Sequence, residues 1–161
     1  MEKPNYLAFT TKWDGQANAL ITDAFIEYNN QTLPIKALWD TGATGTCVSP
    51  NVVAQLGMIA TGKGTSHTAA GIATVNTYLA NIILPNHVRV TDVAMIDASI
   101  GTNGFDVLIG MDIIGMGDFC ISNMRGKTTL SFRIPSKEVT DYVVQINLEN
   151  KGIKPGRRSK G

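Results

Sequence analysis

Residues 37–50 read ALWDTGATGTCVSP. Leading into them, Leu33, Ile35, Ala37 and Trp39 alternate with Pro34, Lys36 and Leu38. That period of two marks a strand with one apolar face. The strand stops at Asp40, and nothing apolar continues it. Thr41, Gly42, Ala43, Thr44, Gly45 and Thr46 are all small or hydroxylic. An acid at the inner end of a strand is costly unless something uses it. Small residues let two backbones approach closely, and hydroxyls supply donors near a carboxylate. Two carboxylates facing each other can share one proton and persist as a monoanion. Such a pair is also a catalyst: one acid takes a proton from water while its protonated neighbour donates to a carbonyl oxygen.

Working outward, strand signals dominate. Tyr78, Ala80, Ile82 and Leu84 repeat the alternation, as do Thr128, Leu130, Phe132 and Ile134, and again Tyr142, Val144, Ile146 and Leu148. Stretches 19–28, 88–96 and 105–109 are apolar enough for strands covered on both faces. Turn residues divide the runs at Asn29-Asn30-Gln31, Pro85-Asn86, Asn103-Gly104 and Arg125-Gly126-Lys127. Many short strands so divided predict an all-β sandwich or barrel. Two short helices are expected. Ser49 as N-cap, Pro50 in the first turn and Gly57 as the stop place one near 50–56. Asp112 as N-cap places another near 112–116, limited by Gly115 and Gly117.

The chain of 161 residues suffices for one domain with a real core. With 43% hydrophobic and 17% charged residues it is too apolar for disorder. A formal net charge of +1 gives no global field to attract nucleic acid or an anionic membrane, so neither partner is expected. The longest apolar runs are too short to span a bilayer. MEKPNYLAFTTKWDG at the N-terminus has no apolar h-region, which makes the cytoplasm the default compartment. The final ENKGIKPGRRSKG is basic and poor in apolar residues, so 1–149 is read as the domain and 150–161 as a disordered tail. Cys47 and Cys120 lack metal-type spacing and are expected as free, mostly buried thiols.

An apolar strand ending in WDTGA resembles the active-site motif of retropepsin-like aspartic proteases. The family's second signature is an apolar pair before glycine, followed by a short helix. Here it reads FDVLIGMDIIGMGDF, with Leu108, Ile109 and Gly110 in the matching places. Between the two the family has a β-hairpin flap with a glycine-rich tip, which TSHTAAGIATVNTYLANI fits. The resemblance covers roughly 18–135. It implies a closed barrel with a flap hairpin and Asp40 as the catalytic acid. Thr41 would hydrogen-bond across a two-fold axis, Gly42 would admit substrate backbone, and the Leu108-Ile109-Gly110 segment would support the loop. Ala69, Ala70, Gly71 and Ile72 would cover an extended peptide. The sequence holds one Asp-Thr-Gly, so a two-carboxylate site implies a homodimer. No metal or other cofactor is expected. Ala43 stands where pepsin-like relatives often carry Ser or Thr, which implies activity reaching towards neutral pH.

The chain departs from the retroviral pattern. A commonly paired Asp and Arg are replaced by Thr44 and Met111, both partners together. That casts doubt on retrovirus-like substrate contacts and on a retrovirus-like dimer sheet at the termini. Other motifs are weak. GMIATGKGTS (57–66) nearly matches a phosphate loop, but Gly64 stands where Ser or Thr belongs. His67 and His87 have no nucleophile arrangement beside them. The reading is a homodimeric aspartic endopeptidase. Its alternative is a dimerisation or peptide-binding module of the same fold with little hydrolytic activity.

Overall fold

The structure is a computed structural model and describes residues 7–68, 71–100 and 104–152. Among the described residues ten strands carry it: β1 Leu7–Lys12, β2 Ile21–Tyr28, β3 Gln31–Trp39, β4 Thr46–Val48, β5 Gly62–Thr68, β6 Gly71–Ile83, β7 Arg89–Asp97, β8 Val107–Ile109, β9 Asp118–Ser122 and β10 Thr129–Ile134. Three α-helices interrupt them: α1 Pro50–Gln55, α2 Met111–Ile114 and α3 Tyr142–Asn150.

Seven strands lie in the order β2-β3-β8-β4-β7-β6-β5, and a further β2–β6 pairing closes six of them into a barrel. β5 is left outside, bonded to β6 alone. A separate three-stranded sheet runs β1-β10-β9. Closure leaves the barrel strands without a free edge, which is how a fold of short strands satisfies its backbone.

The alternation around Trp39 has the expected consequence. Ile35, Ala37 and Trp39 are buried while Pro34 and Lys36 face outward. Trp39 joins the two sheets. Its ring centroid lies 5.6 Å from Phe9 on β1, 5.1 Å from Phe132 on β10 and 5.8 Å from Phe119 on β9. Its indole Nε1 donates to buried Thr22 Oγ1 at 2.9 Å. Such a cluster rewards apolar burial and offset ring contact together. Truncating a ring of this kind to alanine costs about 3–5 kcal/mol. The residue before Asp40 is therefore among the most firmly seated in the chain, and its role is packing.

The helix near 50–56 forms as expected. Ser49 Oγ accepts from Val52 N at 3.3 Å, and Gly57 ends the turn at φ +57. The second helix differs in its cap, which is Gly110 rather than Asp112. A larger correction concerns 142–148, which is helix and not strand. Asp141 Oδ1 accepts from Val143 N at 2.9 Å and Val144 N at 3.1 Å, capping α3. The apolar alternation there suits a strand, but strand preference is realised only against a neighbour. A capped helix meets its own hydrogen bonds without one. Tyr142, Val143, Val144 and Ile146 all remain exposed. β1, β4 and β9 carry no strong alternation and were not expected as strands.

Both cysteines are free, but only Cys47 is partly covered, and Cys120 is exposed. The basic tail lies outside the described residues from 153 onward, and Asn150 closes α3. Among the described residues no helix is long and apolar enough to cross a membrane.

Candidate active site

β8 runs between the two strands that flank the Asp-Thr-Gly turn. It pairs in parallel with β3 (Leu38↔Leu108, Trp39↔Ile109) and antiparallel with β4 (Cys47↔Leu108). The turn from 40 to 45 thus leaves one neighbour of β8 and returns on the other. Asp40 N continues the ladder by donating to Ile109 O at 3.0 Å. Past β8 the chain folds over the turn: Met111 N donates to Ala43 O at 2.8 Å and Asp112 N to Thr44 O at 3.2 Å.

Gly110 is required by close approach. A Cβ there would stand 2.5 Å from Gly45 O and 3.0 Å from Ala43 O, both backbone atoms. This is the physical content of the glycine in the second motif: the two motifs touch, main chain to main chain.

Asp40 is half-buried, and its Oδ1 accepts from Gly42 N at 2.8 Å. A Cβ on Gly42 would lie 3.1 Å from that same oxygen. Among the described residues no Lys, Arg or His stands within ion-pair reach of Asp40. Thr41 and Gly42 are exposed. On the adjoining strand, burial pushes the Cys47 thiol above its ordinary value, and the charges of Asp112 and then Asp40 add to the rise. Both acids therefore act on the same part of β4.

The structure brings Asp40, Ala43, Leu108, Ile109 and Gly110 of the expected site together. Two supports were not read as partners. Asp112 Oδ2 accepts from Thr46 N at 3.0 Å and its Oδ1 from Thr46 Oγ1 at 2.9 Å. Asp106 Oδ2 accepts from Lys36 N at 2.8 Å, while Asp106 O takes Ser49 N at 2.9 Å, tying β3, β8 and the α1 cap together. Asp112 stood out in the sequence only as a helix cap; the partners of the two acids, 66 and 70 positions away, carried no signal.

The hairpin of β5 and β6 pairs from Gly62↔Thr77 to Thr68↔Gly71, with Gly71 at φ +123. Ala69 and Ala70 lie outside the described residues. Ile72 is 73% exposed. β6 joins β7 only from Thr77 onward. At that junction Asn76 N and Nδ2 donate to Asp97 Oδ1 and Oδ2, both at 2.9 Å, and Lys63 Nζ donates to Asn76 Oδ1 at 2.6 Å. His67 is exposed on β5 and His87 in a turn. Gly62 and Lys63, two of the phosphate-loop matches, lie in strand β5. Among the described residues no group of three or more His, Cys, Asp or Glu side chains is placed to hold a metal ion.

A family model described as "gag-polyprotein putative aspartyl protease" matches residues 26–116. No curated protein matches the sequence. Among solved structures, a retropepsin-like aspartic protease from Rickettsia conorii is similar at 17% identity and TM-score 0.55, covering 83% of this chain and 98% of that one. The EIAV protease in complex with the inhibitor HBY-793 is similar at 19% identity and TM-score 0.47, over 61% of this chain and 86% of its own. The simian foamy virus (mac) protease follows at 18% identity and TM-score 0.43, over 60% and 92%. The likeness to the Rickettsia structure bears out the retropepsin-like barrel expected from the sequence.

Proposed function

This chain belongs to the gag-polyprotein aspartyl protease family, and we propose that it is an aspartic endopeptidase that works as a homodimer. The observation that carries the reading is Asp40. It is a half-buried acid with no cationic partner among the described residues, on a turn fixed by main-chain bonds to 109–112. A structural acid in a strand-end turn needs no such scaffold, whereas a catalytic group must be held still.

One chain supplies one such acid, so Asp40 of each of two copies would meet on a two-fold axis and share a proton. The ionised acid takes a proton from water. The water oxygen attacks the peptide carbonyl carbon, and the protonated acid donates to the carbonyl oxygen. Collapse of the resulting diol returns a proton to the leaving nitrogen, giving a carboxylic acid and an amine. Exposed Thr41 would bond across the axis. Gly42 would leave room for substrate backbone. Gly71 and Ile72, with Ala69 and Ala70, would cover an extended peptide through strand-type hydrogen bonds.

The alternative is a peptide-binding or dimerisation module of the same fold. A peptide library digested by the wild type and by Asp40→Asn separates the two. Cleavage lost in the variant supports the peptidase, cleavage that survives the substitution excludes the mechanism, and binding without cleavage at any pH favours the module. Sedimentation of the same samples tests the dimer: a strictly monomeric active protein would exclude a shared pair of acids.

A further inference from the structure

The turn that carries Asp40 is held at its far end by a carboxylate for which the chemistry above has no use. Asp112 is an exposed residue in the first turn of α2, and both of its carboxylate oxygens accept hydrogen bonds from the chain. Its Oδ2 takes Thr46 N at 3.0 Å; its Oδ1 takes Thr46 Oγ1 at 2.9 Å and Ile113 N at 3.0 Å. Thr46 is 1% exposed, and its Oγ1 also accepts from Gly110 N at 3.4 Å. Main-chain bonds from Met111 and Asp112 hold Ala43 and Thr44, and Gly45 O lies against Gly110. Each residue from 43 to 46 thus rests on 110–112.

We propose that Asp112 is a positioning residue: its carboxylate clamps Thr46 and so fixes the height and direction at which the turn presents Asp40. Three features argue against a mere helix cap. The cap position belongs to Gly110. α2 is only four residues long, so its terminus offers little that needs a charge. Two of the three donors to Asp112 come from β4 rather than from α2. A carboxylate gripping one residue through both oxygens also fixes direction, which a single neutral hydrogen bond does not. The position matters because Thr46 begins β4 exactly where the turn rejoins the barrel, so slack there is transmitted to the rest of the turn.

The kinetic side of this inference rests on the peptidase reading, and its structural side does not. The experiment therefore reads both. Amide hydrogen exchange and steady-state peptide cleavage are measured on full-length wild type, Asp112→Ala, Asp112→Asn, Thr46→Val and Thr46→Ser, at a temperature where circular dichroism finds each folded. In Asp112→Ala, exchange in 40–48 is expected to quicken about tenfold while the β6–β7 amides stay unchanged. kcat is expected to fall about 10- to 100-fold at constant KM, the range typical of a misplaced catalytic group. Asp112→Asn and Thr46→Val fall between, and Thr46→Ser, which keeps the hydroxyl, restores wild-type behaviour. Unchanged exchange in 40–48 would overturn the proposal, as would a kcat loss that only tracks the unfolded fraction or appears equally in Thr46→Ser. If wild type cleaves nothing yet Asp112→Ala still loosens 40–48, the peptidase reading fails and the clamp stands.

Discussion

The turn at 40–46 and the hairpin of β5 and β6 are built on opposite principles. The turn is short and polar, yet Asp40, Ala43, Thr44 and Thr46 each bond to residues 109–112. Beneath it sit Trp39 and Ile109, both buried. The hairpin is longer and regularly paired, and β6 joins β7 only from Thr77 onward. Its residues are mostly exposed. A two-stranded ribbon alone in water is marginally stable. Regular secondary structure is therefore the wrong guide to rigidity here. The irregular segment is fixed because a second part of the chain lies across it, whereas the ladder of the regular one, from Gly62 to Thr77, runs between its own two strands. A fixed acid under a mobile cover is what the proposed hydrolysis of an extended peptide would require.

The comparison breaks most sharply at Asp40. Asp40→Asn is expected to lower peptide cleavage by about 10²- to 10⁴-fold, the share commonly carried by a general acid–base group. Exchange in the hairpin should not change, as measured by mass spectrometry on the same sample. A fall in cleavage accompanied by a loosened hairpin would mean that the two regions are not independent.

Alanine scanning of glycines sharpens it next. Gly110→Ala drives a Cβ into Gly45 O, with no flexible side chain to yield, and overpacking of that kind costs about 1–3 kcal/mol. Gly64→Ala on β5 meets first Thr77 Cγ2, at 3.0 Å. A threonine methyl can give way, so the cost should stay near the roughly 0.5 kcal/mol of ordinary surface changes. Urea midpoints of the two variants check the difference, and equal losses would refute it.

At its base the hairpin is anchored by the bonds from Asn76 to Asp97. Asp97→Ala removes both acceptors. It should raise KM several-fold with less effect on kcat, since in the proposed reading the hairpin binds substrate and the turn does the chemistry. A kcat loss at constant KM would place the anchor with the turn instead.

The smallest effect lies outside both regions. Asp118, at the start of β9, is held well below the usual carboxylate range, first by the Ser136 hydroxyl, then by Lys137 N–H and Arg133. A depressed folded-state pKa adds stability that is present above the ordinary Asp value, near 4, and is lost as pH falls below it. Melting temperatures at about pH 6 and pH 3 should therefore differ more for wild type than for Asp118→Asn. Cleavage near pH 6 should be the same in both proteins. An equal acid loss in the two would assign it to other carboxylates.

Much of the site was legible because its two motifs are local and chemically odd. Asp40 ends an apolar strand with no sequel, and Gly110 follows two apolar residues that a short helix succeeds. The failures were failures of partnership. Asp112 looked like a cap because an acid beside a short helix usually is one, and nothing near it in sequence pointed to Thr46. The run at 142–148 alternated like a strand, but Asp141 captured the first N–H groups and no neighbouring strand competed for them. Cys120 looked buried by type, yet it lies on the exposed part of β9.

By itself the sequence determined which faces are apolar, where strands end, and that an acid stands at the end of one of them. These follow from side-chain period and backbone preference, which act over a few residues. Only the tertiary structure decided that β2 closes on β6, that β8 threads between β3 and β4, and that Asp112 grips Thr46. Those pairings join segments tens of residues apart. Their stability comes from hydrogen bonds and burial that exist only once the whole barrel has closed, so no local pattern could announce them.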